Sequence, residues 1–258
     1  MGAAVRISRP AAAPMSASEA GFLRLLAALA ALAPLLAPAG CGNICSPLNP
    51  VPTYTVPVLS KGLVEDFEKT GPTANYLGGS NSISLDQAST GKVNWFAPGS
   101  TLPGGTRRTS AEFSGIEAPQ DPATSTYPYA ELLLGMPNPT SGFDVRTVAP
   151  GQKLVFSYKA GAASVGLEHI IEFTDKTIQD YSWYQYDFTP TDTAWHQATV
   201  YFPGAGAPAF AQATWGSPQI PWPSIASNVT AIALVVVSAN SPSPASPYDI
   251  SIDDVSFE

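Results

Sequence analysis

Short runs in which polar and apolar residues alternate make up most of the chain after residue 60. This alternation has the period of two residues that is typical of β-strands with one buried face. No segment after residue 41 keeps apolar residues at helical spacing between capping residues. We therefore expect strands at 63–68, 129–134, 153–159, 168–174, 181–188, 196–202, 231–238 and 249–257.

Clusters of glycine, proline and asparagine separate these runs, for example at 78–79, 103–105 and 137–139. Such clusters favour turns. Eight or more strands at this spacing predict an all-β fold, a two-sheet antiparallel β-sandwich of the jelly-roll kind. Segments 97–128 and 203–230 have few strand signals and many small residues. We expect them to be long loops that could carry a binding site, with sandwich edges as an equal alternative.

The first forty residues have a different character. Arg6, Arg9 and Arg24 precede an apolar run over residues 25–36, which is shorter than the roughly 20 helical residues that span a bilayer. This arrangement predicts a secretory signal helix. Residues 37–41 read Ala-Pro-Ala-Gly-Cys and resemble a bacterial lipobox, although Pro38 stands where leucine is usual. The pattern therefore predicts lipidation of Cys41.

Three segments follow from this pattern: a lipoprotein signal peptide at 1–40, a proline-rich tether at 41–60 and a single domain at 61–258. We expect an exported outer-membrane lipoprotein that faces the periplasm or the cell exterior. Its only membrane contact would be the lipid. Met15 is an alternative start. Two further alternatives stay open. The signal peptide could be an ordinary one, with Cys41 and Cys45 free or disulfide-linked. The segment after it could pack on the domain instead of forming a tether.

Composition narrows the function classes. The 258 residues carry 12 Lys+Arg against 20 Asp+Glu, a net charge of −8, which argues against a protein that tracks nucleic-acid phosphates. Two histidines and two cysteines are too few for a histidine-rich metal site or a disulfide framework. No P-loop, zinc spacing or dinucleotide fingerprint is present.

Two motifs at the ends of the domain carry a family resemblance. Residues 63–68 read LVEDFE and residues 248–257 read YDISIDDVSF, with Trp195 and the stretch 210–216 between them. This arrangement resembles the galactose-binding-like jelly rolls of the family 11 carbohydrate-binding modules and the related complex I intermediate-associated protein domain. The resemblance covers about residues 62–258. It implies binding of a polysaccharide, commonly a β-glucan, without cleavage, and framework roles for Trp195 and Trp215.

The resemblance also implies a structural calcium ion. Glu68 and Asp253 match positions that help to hold calcium in similar jelly rolls, with Asp66 and Asp254 as alternates. Ca²⁺ takes six to eight oxygen ligands, several of them carboxylates. In the alternative interpretation these acids cap strand ends or face solvent.

Residues 181–188 offer the richest set of groups for a sugar. Sugars present apolar faces and a rim of hydroxyls, so a binding site needs aromatic rings beside amides or carboxylates. In an extended strand Tyr181, Trp183, Gln185 and Asp187 share one face. The other face, with Tyr184, Tyr186 and Phe188, has the composition of a core. Aromatic residues on strands also stabilise sheets by packing, and this interpretation stays open.

Neighbouring segments extend the candidate site. The strand at 168–174 is expected to form a hairpin with 181–188, which could place Glu172 or His169 on the same face. Tyr129 and Trp222, the latter in a loop between two prolines, could line a cleft edge. The predicted ligand-binding residues are therefore Tyr181, Trp183, Gln185, Glu172, Tyr129 and Trp222.

We expect a monomeric, non-catalytic binding protein. The stretch 162–166 only approximates a Gly-x-Ser-x-Gly nucleophile elbow, and His169 and His196 are expected to be structural or surface residues. Two alternatives remain: a surface lipoprotein for structure or protein interaction that lacks a sugar site, and a glycan-active hydrolase, since carboxylate separation is invisible in a sequence.

The predicted anchor has a direct test. Mass spectrometry of the mature N-terminus should find a lipid on Cys41, and Cys41→Ser should abolish it whereas Cys45→Ser should not. An unmodified Cys41, or cleavage at another position, would contradict the lipoprotein prediction.

Overall fold

The alternating runs form β-strands in the computed structural model, which describes residues 62–68, 74–101, 107–119, 128–216, 219–237 and 245–258. The predicted signal peptide, Cys41 and the tether lie outside these residues. Within the described part of the chain, no helix has the length and apolar character needed to cross a membrane.

Twelve strands, one short helix and one 3-10 turn are formed by the described residues. The turn is Val145–Thr147 and the helix α1 is Trp222–Ala226. The strands are β1 Leu63–Glu65, β2 Asn81–Leu85, β3 Thr90–Thr101, β4 Arg107–Glu117, β5 Ala130–Gly135, β6 Lys153–Ala160, β7 Glu168–Asp175, β8 Tyr184–Phe188, β9 Trp195–Tyr201, β10 Ala211–Gln212, β11 Val229–Val237 and β12 Ser246–Phe257.

The strands form two six-stranded antiparallel sheets. The first sheet has the order β3-β4-β12-β6-β9, with β1 paired to the end of β12, and the second has the order β10-β8-β7-β11-β5-β2. One buried cluster contains apolar side chains of both sheets, so the sheets pack face to face. This confirms the predicted all-β, two-sheet antiparallel sandwich.

The opening and closing segments are neighbours, as the resemblance implied. Leu63 lies opposite Ser256, and Glu65 lies opposite Val255. The Glu65 carboxylate also accepts a 2.7 Å hydrogen bond from the side chain of Asn81 in β2. Glu65 therefore joins the first strand of one sheet to an edge strand of the other.

Tyr248 shows how the core is fitted across strands. Its ring is buried and packs against Phe113, with 4.8 Å between ring centroids. Gly91 and Gly115 lie opposite each other on β3 and β4. A Cβ at Gly115 would lie only 2.7 Å from the Tyr248 hydroxyl. The glycine pair thus provides the space for this ring.

Of the two alternatives for 97–128, a long loop or a sandwich edge, the described residues favour the edge. Strand β3 continues to Thr101, and β4 occupies Arg107–Glu117. Small and polar residues hide the alternation, because the buried residues of β4 that the structure describes include Ser110, Ala111 and Glu117 beside Phe113. Strands β2 and β3 were also missed. The segment 203–230 is mostly irregular, as expected, apart from β10, α1 and the start of β11.

Trp222 is not the loop residue that we predicted. It begins helix α1, and its side chain is only 8% exposed. Its ring lies 4.9 Å from Phe202, 5.2 Å from Tyr184 and 5.4 Å from Phe173 between ring centroids. The flanking prolines suggested a loop, but Pro223 is accommodated in the first turn of a helix. Trp222 is therefore a core residue and does not line a cleft.

The position of Trp222 predicts a stability effect. Trp222→Ala should lower the free energy of unfolding by about 3–5 kcal/mol, because it removes a large buried ring and leaves a cavity. Urea denaturation measures this change. Ala in place of the exposed Phe96 is the control and should change stability far less. Equal effects of the two substitutions would contradict the core assignment.

His169 is a buried structural residue, as expected for this histidine. Its side chain has no solvent exposure, and its ring lies 5.7 Å from that of Phe188. The ring nitrogens have no side-chain partner among the described residues, and an interaction with the backbone of Ser164 opposes the effect of burial on the pKa. Burial lowers the pKa of His169 from 6.5 to about 4.

This pKa predicts acid sensitivity. Between pH 6.5 and about 4 the unfolded chain binds a proton on His169 while the folded chain does not. The contribution of His169 to stability should therefore fall as pH decreases through this window, by about 1.4 kcal/mol per unit. Urea unfolding at several pH values should show a shallower slope for His169→Gln than for the unmodified protein. Parallel slopes would contradict the assignment.

Candidate functional site

The outer face of the second sheet is the surface that carries the predicted sugar-binding groups. Side chains of directly paired residues point to the same face of a sheet. The strand register therefore defines two rows that cross this outer face. The first row is Ser82, Leu133, Ala233, Glu172, Gln185 and Ala211, and the second is Ser84, Glu131, Val235, Ile170 and Asp187.

The centre of the outer face is apolar. Ile170, Ala233 and Val235 are buried and form a small cluster with Leu133, separate from the main core. Strand β11 is therefore apolar on both faces, whereas β7 places Ile170 between Glu168 and Glu172 on the outer face. Hydrogen-bonding groups surround this cluster, so the face combines an apolar floor with a polar rim.

Gln185 lies on the polar side of this face, where we predicted it. It is paired with Glu172 across β7 and β8. Its side-chain nitrogen donates a 2.8 Å hydrogen bond to Asp187. Glu172 shares the face but is only 3% exposed. Gln185 and Asp187 are thus the more accessible polar pair.

Two carboxyl groups at this end of the sheet have altered acidity. Burial raises the pKa of Asp187, although the hydrogen bond from Gln185 opposes the increase. Burial also raises the pKa of Glu168, and repulsion from Asp187 adds to it. Their side chains therefore lie in a common, partly desolvated environment.

Tyr129 precedes β5 and is half-buried. Its backbone N–H donates a 2.7 Å hydrogen bond to Asp86. Burial raises the pKa of Tyr129, and electrostatic repulsion from Glu131 and Tyr181 adds to the increase. Tyr129 thus lies directly before β5 in a partly desolvated position.

Asp86 fixes the segment that carries Tyr129. It also accepts hydrogen bonds from the backbone of Ala88 and from the backbone and hydroxyl of Ser89. Burial would raise the pKa of Asp86, but these hydrogen bonds hold it below its usual value. Asp86 was not among the predicted site residues. An aspartate that accepts hydrogen bonds from backbone groups two and three residues later is a known turn signal.

Tyr181 and Trp183 are not part of strand β8, which begins only at Tyr184. The prediction of a strand from 181 is therefore wrong, and the alternation does not extend to these two residues. The reason is the backbone of Tyr181, which has a φ of +61°. By contrast, Tyr184 and Phe188 are buried in the core, as predicted, and Tyr186 packs against it.

The two aromatic rings have different surroundings. Tyr181 is 50% exposed, and its ring meets the Trp183 indole edge to face, with 5.2 Å between centroids. Trp183 is partly buried against the main core. Its indole nitrogen is buried and makes no hydrogen bond to a described residue. Tyr181 is therefore the accessible ring, and Trp183 supports it.

The acidic side chains predicted to hold calcium each have a protein partner in the structure. Glu68 is exposed and accepts a 2.6 Å hydrogen bond from the backbone of Thr109. Asp253 is buried and accepts one from the backbone of Asp254. Asp66 accepts one from the hydroxyl of Tyr76. No three His, Cys, Asp or Glu side chains of the described chain are placed to hold a metal. Calcium also binds backbone carbonyl and water oxygens, so the calcium ion stays a prediction.

Glu168, Glu131 and Ser84 were not among the predicted site residues. All three lie on the outer face with residues that were predicted. Residues two or four positions apart on a strand share a face. The predicted position of Glu172 therefore implies that of Glu168, and the predicted position of Tyr129 implies that of Glu131. Ser84 could not be found this way, because β2 was not recognised as a strand.

No protein-family model matches the sequence, and no curated protein matches it. Structural comparison finds a family 11 carbohydrate-binding module from Clostridium thermocellum in complex with a β-1,3-1,4-mixed-linked tetrasaccharide. The identity is 13%, with 76% of this chain and 94% of that chain covered and a TM-score of 0.44. An exo-β-agarase matches at 13% identity over 76% of this chain and 24% of its own, with a TM-score of 0.46.

The adhesin domain of Lys-gingipain from Porphyromonas gingivalis also matches. The identity is 15%, with 75% of this chain and 95% of that chain covered and a TM-score of 0.36. The resemblance to family 11 modules that we inferred from the sequence is thus also found by structural comparison. At these identities it concerns the course of the chain and assigns no function.

Proposed function

We propose that this protein binds a polysaccharide of the β-glucan type, without cleaving it, through the outer face of the second sheet. The observation that carries the proposal is an accessible amide–carboxylate pair beside an apolar floor on the outer face, with an exposed tyrosine ring in the connection that leads into β8. Tyr181 supplies the ring, and Gln185 with Asp187 supplies the pair.

Each of these features matches one property of a sugar. The C–H face of a pyranose is apolar and packs against a flat ring. Its hydroxyls both donate and accept hydrogen bonds, as the Gln185 amide does. The Asp187 carboxylate accepts them when it is ionised. Such sites combine an apolar lining with a few placed polar groups.

The proposed location follows from the predicted signal. A lipid on Cys41 would hold the domain at an outer membrane, where exported polysaccharides are accessible. The tether would separate the binding face from the lipid surface. The proposed location depends on the pattern of residues 1–41, whereas the proposed sugar site depends on the second sheet.

Affinity electrophoresis and calorimetry with soluble mixed-linkage and β-1,3-glucans should detect binding by the purified protein. Gln185→Ala should weaken binding about three- to tenfold, which corresponds to the loss of roughly one hydrogen bond. Gln197→Ala is the matched control, because Gln197 is an exposed glutamine on a strand of the first sheet. It should leave the affinity unchanged.

Failure of the unmodified protein to bind any glycan would contradict the proposal. Equal losses for Gln185→Ala and Gln197→Ala would contradict the assignment to the second sheet. Release of reducing sugar during the assay would show hydrolysis and contradict the proposal of binding without cleavage. Glu168 and Asp187 would then be the carboxyl groups to test.

A further inference from the structure

We infer that Tyr181 determines glycan recognition and that the chain keeps a strained backbone at this residue in order to present its ring. The inference rests on the proposed sugar-binding function and deepens it. Three observations support it: the backbone conformation of Tyr181, the exposure of its ring and the way in which the adjacent turn is fixed.

The backbone of Tyr181 has a φ of +61°. This left-handed region is unfavourable for residues with a Cβ and is uncommon for bulky side chains. Three other described residues besides glycine have a positive φ: Phe67, Gln152 and Asp254. Strain of this kind persists only where surrounding structure imposes it, and it is frequent at functional sites.

Phe67 provides an internal comparison, since it is also an aromatic residue with a positive φ. The Phe67 side chain is only 3% exposed and stacks on Trp95. Burial of its ring therefore offsets the backbone cost. Tyr181 has half of its surface in solvent, so burial of its ring offsets much less of the backbone cost. Folding alone does not account for a tyrosine at this position.

The turn around Tyr181 is fixed from both sides. The Asp180 carboxylate accepts hydrogen bonds of 3.2 Å and 2.7 Å from the backbone and hydroxyl of Ser182, which is fully buried. The carbonyl of Trp183 accepts a 3.0 Å bond from the backbone of Ala213. A Cβ at Gly216 would lie 2.7 Å from the Asp180 carboxylate, so the turn also packs closely against a neighbouring loop. Asp180 and Ser182 are thus positioning residues.

The result is a ring that is already oriented before a ligand arrives. Its edge-to-face contact with Trp183 restricts the side chain, and its place in the connection directly before β8 brings it next to the strand that carries Gln185 and Asp187. A group that is ordered in advance loses less conformational freedom on binding, so more of the contact energy appears as affinity.

Three substitutions of Tyr181 distinguish the contribution of its ring to binding from the effect of its backbone conformation on stability. Tyr181→Phe keeps the ring, Tyr181→Ala removes it and keeps the Cβ, and Tyr181→Gly removes both. Titration calorimetry with the best-bound soluble glucan and thermal melting are measured for each. Phe96→Ala is the control for loss of an exposed aromatic side chain, because Phe96 is 47% exposed on a strand of the first sheet.

Tyr181→Phe should bind within about threefold of the unmodified protein, whereas Tyr181→Ala and Tyr181→Gly should both lose about tenfold or more. Tyr181→Gly should nevertheless melt about 2–4 °C above Tyr181→Ala, because glycine relieves the left-handed strain. Phe96→Ala should keep full affinity.

Full affinity of Tyr181→Ala would overturn the recognition role while leaving the proposed function intact. A melting temperature of Tyr181→Gly at or below that of Tyr181→Ala would overturn the strain argument. If the unmodified protein binds no glycan, the proposed function fails and the recognition role fails with it. The melting comparison would then report on the strain alone.

Discussion

The first sheet depends on strand β12, which hydrogen-bonds to β4 on one side, to β6 on the other, and to β1 near its end. The inward side chains of β12, including Tyr248, Ile250 and Ile252, are buried. A strand in this position must satisfy two ladders and one face of the core at the same time. The last residues of the chain therefore complete the sheet that the earlier strands begin.

Glu65 links this sheet to the other one. It is buried, and it bonds both to its own turn and to Asn81 of the second sheet. Burial raises the pKa of Glu65 despite these hydrogen bonds. A buried carboxyl group with satisfied partners gives specificity to the contact of the two sheets, because a displaced pairing would leave it unsatisfied.

The second sheet has a different constraint. Strand β11 is apolar on both faces, so one side closes the main core and the other, with Ile170 of β7, forms the floor of the outer face. The polar groups lie toward β8 and β5, and the exposed ring comes from the connection between β7 and β8. The turn with the positive φ of Tyr181 thus leads directly into β8, an inner strand of the second sheet. This arrangement favours recognition by a preformed surface.

The sequence alone was sufficient to predict the sandwich, because the period of two in 153–159 or 249–257 depends only on which residues avoid water. It also placed Gln185 and Glu172 together, since direct pairing in a hairpin follows from that same period. The sequence pattern did not reveal β3 and β4. Gly91 and Gly115 on these strands lie against Tyr248, which is more than 130 positions further along the chain than either glycine. Such complementarity exists only after distant strands meet.

The chemistry of the candidate face was therefore determined by the sequence, and its access by the tertiary structure. The sequence supplied the aromatic and amide groups near residue 185. The fold decided that Trp222 is a core residue, that Trp183 is a support and that Tyr181 is exposed. The physical reason is that exposure depends on how helix α1 and the turn before β8 pack against the sheets, and local alternation contains no information about that packing.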